Sequence, residues 1–361
     1  MKLNHNEKTK HLRALIDEFS ETPLVNVCRL SYEDIPLIAN FLMSVWPENY
    51  GRNAFPYFKE DYLKWVLGGP QKGRHILIGA KVNNELVAYQ SLLCRTVSFC
   101  GNKLNAFLGT HLTISQKINL QEKLYLLAQK PVFDAKSKYY EPNCDLIYEF
   151  HEEKSPLRDV SGRMSKKYYD LERKILCNFN QFVIVPKRLK NYMQENCTEE
   201  GSFLLRPASE NDSGELTKIF NDIPEGPHFV RLMTEEELQH HFFGHPKHFT
   251  FVIETEGRIG AFINFYPIEI LKGGQSSSTV IVEFMFSKER NRRFVAMLLN
   301  EALKLAEEIG AKSVVLENAT YLEFDYYREI GMMPTFRKMT MSIISKSHIV
   351  DYLGCFWSDI K

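Results

Sequence analysis

Apolar positions along the chain fall into two periods, and their order predicts an alternation of helices and strands that occurs twice. Polar capping stretches, Ser31-Tyr32-Glu33-Asp34 and Ser209-Glu210-Asn211-Asp212, precede amphipathic helices over Ile35 to Trp46 and Leu216 to Ile223, and each follows an arginine, Arg29 or Arg206. A second helix follows in each half, Glu60 to Leu67 and Glu235 to Phe243, closed by glycine and proline. Hairpins come next: His75 to Val82 turns at Asn83-Asn84 into Leu86 to Leu93, and Phe249 to Glu254 turns at Glu256-Gly257 into Ile259 to Tyr266. Glycine-bearing loops then lead into long strands, Leu104 to Ile114 and Thr279 to Phe286. In the second half an amphipathic helix spans Arg292 to Ile309 with Gly310 as its stop. Strands at Cys144 to Phe150 and Ser313 to Leu316 follow, and Tyr321 to Ile330, Gly331 and Phe336 to Ile344 close the second half as helix, stop and strand.

The offset between matching elements is about 175 residues, too long for a solenoid and suited to a duplicated domain. The expected architecture is mixed α/β (α+β): two tandem domains with mixed, mostly antiparallel sheets flanked by helices. The organisation expected is a polar N-terminal arm at 1–23, a first domain at 24–186, a polar linker at 187–202, a second domain at 203–346 and a tail at 347–361. A length of 361 residues agrees with two cores rather than one.

Charge narrows the partners. Lys plus Arg and Asp plus Glu both number 45, so no bulk field is available to hold nucleic acid. No apolar run approaches the ~18 residues that cross a bilayer, and Met1 to Ser20 lack the apolar core of a secretory signal. Seven scattered cysteines without a CxxC pair fit reduced thiols in a cytoplasm, and packing roles more than nucleophilic ones. His240, His241, His245 and His248 lie within nine residues, but Gly244 and Pro246 break the helical spacing that metal ligation would need, and no metal is expected. Walker, dinucleotide-binding and nucleophile-elbow motifs are absent from the sequence.

The element order, with the arginine and capped helix at each start and Gly331-Met332-Met333-Pro334 as a turn near the end, resembles the GNAT superfamily of acyl-CoA N-acyltransferases. Within its tandem members the likeness is greatest to glycylpeptide N-myristoyltransferases. It is carried by the stretch from Phe55 to Leu67, by Phe107-Leu108-Gly109-Thr110-His111, by Glu235 to Phe242 and by Ile259 to Tyr266. The resemblance implies acyl-CoA as co-substrate, bound by the first half, and an amine acceptor, a peptide N-terminus or a small molecule, bound by the second. It maps main-chain oxyanion donors onto Phe107 and Leu108, and a general base onto the terminal carboxylate of Lys361. Glu149 stands where the family carries a small hydroxyl residue and could act as a base, as could His151. Tyr327 matches the tyrosine that single-domain members use to protonate the departing thiolate.

Two segments compete for the coenzyme A phosphates. Ser115, Gln116, Lys117 and Asn119 align without gaps to the family loop but keep one positive charge, with Lys103 or Lys123 as possible support. Arg290, Arg292 and Arg293 in the second half form the more basic strand-to-helix loop, where unpaired amides and the helix dipole attract anions. Three functions stay open: acylation of a peptide N-terminus from a long-chain acyl-CoA, acetylation of a small amine by the second half, and a degenerate fold that binds an acyl group or a partner without catalysis.

Overall fold

The computed structural model describes residues 26–50, 55–99, 101–118, 144–152, 171–197, 202–222, 229–288, 290–316 and 324–346. The first half runs β1 (Asn26–Leu30), α1 (Ile35–Tyr50), β2 (Phe55–Pro56), α2 (Glu60–Val66), β3 (Ile76–Val82), β4 (Glu85–Phe99), β5 (Asn102–Ile114), β6 (Leu146–Glu152) and β7 (Leu171–Ile184). Then come α3 (Pro186–Asn196), β8 (Phe203–Pro207), α4 (Ser213–Asn221), β9 (Phe229–Leu232), α5 (Glu235–Phe243), β10 (Phe249–Thr255), β11 (Arg258–Lys272) and β12 (Gln275–Ser287). The chain continues through α6 (Arg292–Glu308), β13 (Val314–Leu316), α7 (Phe324–Glu329) and β14 (Met332–Lys346).

Local chemistry explains the repeated starts. Ser31 donates from its backbone amide and its hydroxyl to Asp34 Oδ2 at 2.7 and 2.9 Å, and Ser209 does the same to Asp212 at 2.7 and 3.1 Å. Each pair nucleates a short 3-10 turn that feeds the next helix, α1 or α4. Along α1, Ile35, Ile38, Leu42 and Val45 are buried at helical spacing against Leu77, Tyr89 and Leu93 of the sheet. Both hairpin turns have two residues at positive φ, Asn83 and Asn84 at 49° and 66° and Glu256 and Gly257 at 51° and 73°, which matches the strand twist.

The fold class is as expected, α/β with GNAT-like halves, but the strands make one continuous sheet of 14 rather than two sheets. Its order is β1-β3-β4-β5-β6-β14-β7-β13-β12-β11-β10-β8, with β2 and β9 added at crossovers. Among the described residues only β5–β6 and β12–β13 pair in parallel. Each half lends strands to the other: β14 pairs with β6 over Met339 to Ile344, and β7 pairs with β13 at Phe182 and Val183. Similarly β2 adds to β11, and β9 adds to β4. At this approximate two-fold axis α2 meets α5, where Trp65 Nε1 donates to His240 O at 3.3 Å and His240 Nε2 lies 3.1 Å from Trp65 O.

Two expectations need correction. Residues 187–202 are not a plain linker, because α3 occupies most of them, buries Leu189 in the core under α6 and pairs Lys190 with Glu307 at 2.7 Å. Pro186 at its first turn is tolerated because that amide needs no helical partner. The Gly331-Met332-Met333-Pro334 segment turns only at Gly331, since Met332, Met333 and Pro334 already pair with Ile184, Val183 and Phe182. Gly331 has φ +96°, and a Cβ there would lie 2.5 Å from Leu189 N, so no other residue fits.

Candidate functional site

The parallel strand pairs part in both halves. β5 and β6 are paired over Ala106 to Gly109 only, and from Thr110 onward that edge of β5 has no partner strand among the described residues. Among the described residues β12 and β13 are paired over Val280 to Val282, and from Glu283 to Ser287 that edge of β12 has no described partner strand. At each parting the strand carries a bulge. In β5 His111 and Leu112 together oppose Gln90, and in β12 Glu283 is the extra residue between partners of Phe265 and Asn264. A bulge bends a strand and breaks its ladder, so it is the physical cause of the opening.

The crevice therefore opens two residues beyond the expected donors. Phe107 and Leu108 sit inside the ladder, opposite Cys94 and Leu93 on one side and Ile147 and Tyr148 on the other, and Phe107 is 2% exposed. Among the described residues the main chain without a partner strand on that edge starts at Thr110 and includes His111 and Leu112. His111 has φ +57°, a left-handed conformation that a histidine adopts only where its surroundings impose it. The imposing contacts are visible: Trp46 Nε1 donates to Thr113 Oγ1 at 2.7 Å, and that hydroxyl donates to His111 O at 3.0 Å. The His111 ring is 2.7 Å from Ser91 Oγ through Nδ1 and meets Phe58 edge-on at 5.0 Å. Burial pushes its pKa down to about 4, so the imidazole is neutral at pH 7.

The remaining first-half candidates fare differently. Ser115 is buried and its Oγ accepts from Lys117 N at 3.2 Å, while Gln116 Nε2 donates to Glu48 O at 3.0 Å. Ser115 thus serves a turn and Gln116 ties that turn to α1, while Lys117 is exposed and, among the described residues, in no ion pair. Asn119 and Lys361 lie outside the described residues, as does the side chain of His151. Glu149 is a buried ion-pair partner, 2.7 Å from Arg173, and it packs over Gly109, where a Cβ would lie 2.9 Å from its Cγ. Its carboxylate is thus engaged in a buried ion pair, a structural role that stands beside its reading as a base.

In the second half the basic loop is committed to structure. Asn291 caps α6, its side chain accepting from Arg293 N at 3.0 Å and Phe294 N at 3.3 Å, so the amides an anion would use are taken. Arg292 pairs with Glu329 at 2.9 Å, Arg293 lies over the Phe203 ring at 4.9 Å, and Arg290 is exposed with φ +50°. Tyr327 is 1% exposed and packs 4.7 Å from Phe182 in the core, whereas its neighbour Tyr326 donates to Arg290 O at 2.9 Å. The tyrosine that reaches the strand-to-helix loop is Tyr326, one position away from the expected acid.

Sequence reasoning missed the polar cluster at the second bulge. His241 Nε2 lies 2.9 Å from Glu283 Oε1, while Oε2 is buried without a partner. Burial lowers the His241 pKa and would raise that of Glu283, but the adjoining His241, His248 and Arg231 outweigh it and hold the Glu283 carboxyl down. His248 stacks on Tyr266 at 4.4 Å and packs tilted against Trp65 at 4.1 Å, and burial pushes its pKa down to about 3. Phe58, Tyr62 and Tyr266 continue the ring contacts to the first bulge, with centroids 4.8 and 6.1 Å apart. The four clustered histidines were a visible signal, but their partners come from Trp65, Tyr266 and Glu283. Among the described residues no group of three or more metal-ligating side chains is assembled.

No protein-family model and no curated protein matches the sequence. Solved structures do match, and they define the class of fold as that of tandem N-acyltransferases. Saccharomyces cerevisiae N-myristoyltransferase with bound myristoyl-CoA superimposes with a TM-score of 0.67 at 13% identity, covering 91% of this chain and 81% of that one. A tandem GNAT protein from the clavulanic acid biosynthesis pathway gives 0.58 at 10% identity, covering 88% and 98%. A probable N-acyltransferase from Enterococcus faecalis V583 gives 0.54 at 10% identity, covering 88% and 72%. At such identities the likeness establishes the fold, a duplicated GNAT unit of the N-myristoyltransferase kind.

Proposed function

We propose that the protein is an acyl-CoA-dependent N-acyltransferase whose thioester carbonyl reacts in the first-half crevice. The observation that carries this reading is the parting of β5 from β6 beyond Gly109, with the bulge at His111. The amine nitrogen attacks the thioester carbonyl, the C–N bond forms, the C–S bond breaks, and the amine loses a proton while coenzyme A leaves as its thiol. Negative charge gathers on the carbonyl oxygen during that step. Main-chain groups of Thr110 to Leu112, fixed by Trp46 and Thr113, are preorganised to meet it, and one such donor contributes about 3 to 4 kcal/mol.

Electrostatics favours this crevice over its counterpart. An oxyanion at the second bulge would form beside ionised Glu283, and two like charges 4 Å apart repel by about 4 kcal/mol at an effective dielectric of 20. The first bulge carries neutral His111 and the Ser91 hydroxyl instead. Glu283 suits an ammonium, so the second half is read as the acceptor side, with a peptide N-terminus as the first acceptor to try. Lys117 is the described cation nearest in sequence to the crevice and is assigned to the donor phosphates.

Thermal-shift titration with acyl-CoAs of graded chain length tests the reading, because a ligand that binds the native state raises its Tm. A shift that grows towards long chains, with thiol release when a glycyl peptide is added, is expected. No shift with any acyl-CoA would overturn the proposal and leave a scaffold without donor binding.

A further inference from the structure

Two arginines are diagonal neighbours on one face of the sheet, and among the described residues neither forms an ion pair. β9 pairs antiparallel with β4 so that Arg231 stands opposite Val97, and Arg95 lies two residues along β4 on the same face, making the two diagonal neighbours. The row continues through Leu93 and Leu108 to Tyr148, so the phenol shares that face. Arg95 is 7% exposed, and the hydrogen bond it makes from Nη1 goes to the carbonyl of its own neighbour Cys94 at 3.0 Å. Both Nε atoms are buried without a partner, and among the described residues neither side chain forms an ion pair.

Nothing in the scaffold demands this arrangement. At the two-fold-related crossover, where β2 adds to β11, the paired residues are Phe55 and Leu271, which pack in an apolar cluster. Arg95 is buried and Arg231 half-buried with its Nε enclosed, a costly setting for two like charges; burial together with Arg95 pushes the Arg231 pKa down to about 9, although Tyr148, Glu283 and Glu237 act the other way. Paired guanidinium groups are the side chains best shaped to grip a planar carboxylate. Arg231 is also close enough to feel Glu283, whose Oε2 is buried without a hydrogen-bond partner among the described residues, so cationic groups and an acceptor oxygen lie near one another.

Resting on the N-acyltransferase reading, we propose that Arg95 and Arg231 receive the carboxylate of the amine acceptor, while Glu283 faces its ammonium group. The acceptor is then an amino acid or a short peptide with a free carboxylate, not a carboxylate-free amine. Arg95 is too enclosed for a diphosphate, which assigns the pair to the acceptor and not to the donor.

The test is binding by thermal shift, with free amino acids and glycyl dipeptides each set against its carboxamide, at millimolar concentration and without donor. At least one free acid is expected to raise Tm while its amide binds at least tenfold more weakly. Arg231→Met should abolish that preference while holding or raising the Tm of the unliganded protein, since an unpaired buried charge is removed. Arg95→Met is the second variant should the first fail to fold. Equal shifts from acids and amides, no shift from any acid, or a lowered Tm with the preference intact would each overturn the proposal. So would protection by adenosine 3′,5′-bisphosphate that Arg231→Met removes, which would give the pair to the donor. If acids and amides are acylated alike, this inference fails and the acyltransferase reading stands; carboxylate binding without acyl transfer has the opposite meaning.

Discussion

The two crevices are copies of one scaffold with opposite electrostatics. Each has a parallel strand pair that separates at a bulge, and the bulged residues, His111 and Glu283, are related by the same offset as the rest of the duplication. Yet the first bulge presents a neutral imidazole beside a hydroxyl, and the second an ionised carboxylate beside imidazoles and Arg231. Backbone geometry opens a slot in either half, and side-chain charge decides what each slot tolerates. A duplicated fold can thus divide one two-substrate reaction between its halves without changing its main chain.

The sharpest way to break that comparison is at the first parting itself. Glu149 and Arg173 form an ion pair with side chains 4% and 7% exposed, directly behind Gly109. Arg173→Met should destabilise the protein by about 3 to 5 kcal/mol, because it strands a buried carboxylate, whereas the double variant with Glu149→Gln should recover most of that loss. Denaturant unfolding measures both. Recovery in stability together with retained turnover would establish Glu149 as structural; lost turnover in a stable double variant would support its reading as a base.

A second prediction separates the halves by acid. His75, His111 and His248 have pKa values pushed down to about 3, 4 and 3 by burial, each below the ordinary histidine value of 6.5. For a group with a depressed folded pKa, stability is complete above the unfolded value and is lost as pH falls towards the folded one. The protein should therefore weaken from pH 6.5 down to about 4, by about 1.4 kcal/mol per pH unit for each histidine while only the unfolded chain takes up its proton. His248→Phe, which keeps the ring packing between Trp65 and Tyr266, should flatten Tm against pH by one proton, and an unchanged slope would mean that His248 is protonated in the native state.

Much of this frame is legible in the sequence, because it is written in local chemistry. Ser-x-x-Asp caps, paired turn residues at Asn83-Asn84 and Glu256-Gly257, and the apolar face of α6 each specify their element within a few residues. What is not legible is non-local. The exchange of β7 and β14 between halves depends on register over more than a hundred residues, and the Glu283–His241 pair joins strands to helices 42 residues apart. The bulge at His111 has no compositional sign, since its left-handed turn is held by Trp46 through Thr113, and the resemblance points only to Phe107 and Leu108 nearby. For α3 a sign existed in Pro186 before Leu189, but a polar helix with one deeply buried side chain has the composition of a linker.

The smallest predicted effect bears on the start of α6. Asn291→Ala should cost about 1 kcal/mol, the usual worth of an N-cap, because it frees the amides of Arg293 and Phe294. Those freed amides would point at solvent beside Arg290 and Arg292, which is the arrangement that binds phosphate in an anion-accepting helix start. The same variant that loses stability should therefore gain weak affinity for inorganic phosphate, seen as a Tm shift absent from the parent protein. If the parent already shows that shift, the cap is displaced by anions, and the second half competes with the first for the donor. If neither protein shows it, Glu329 neutralises Arg292 well enough that removing the cap alone does not make a receptor, and the division of labour between the two halves is built into the charges and not into the cap.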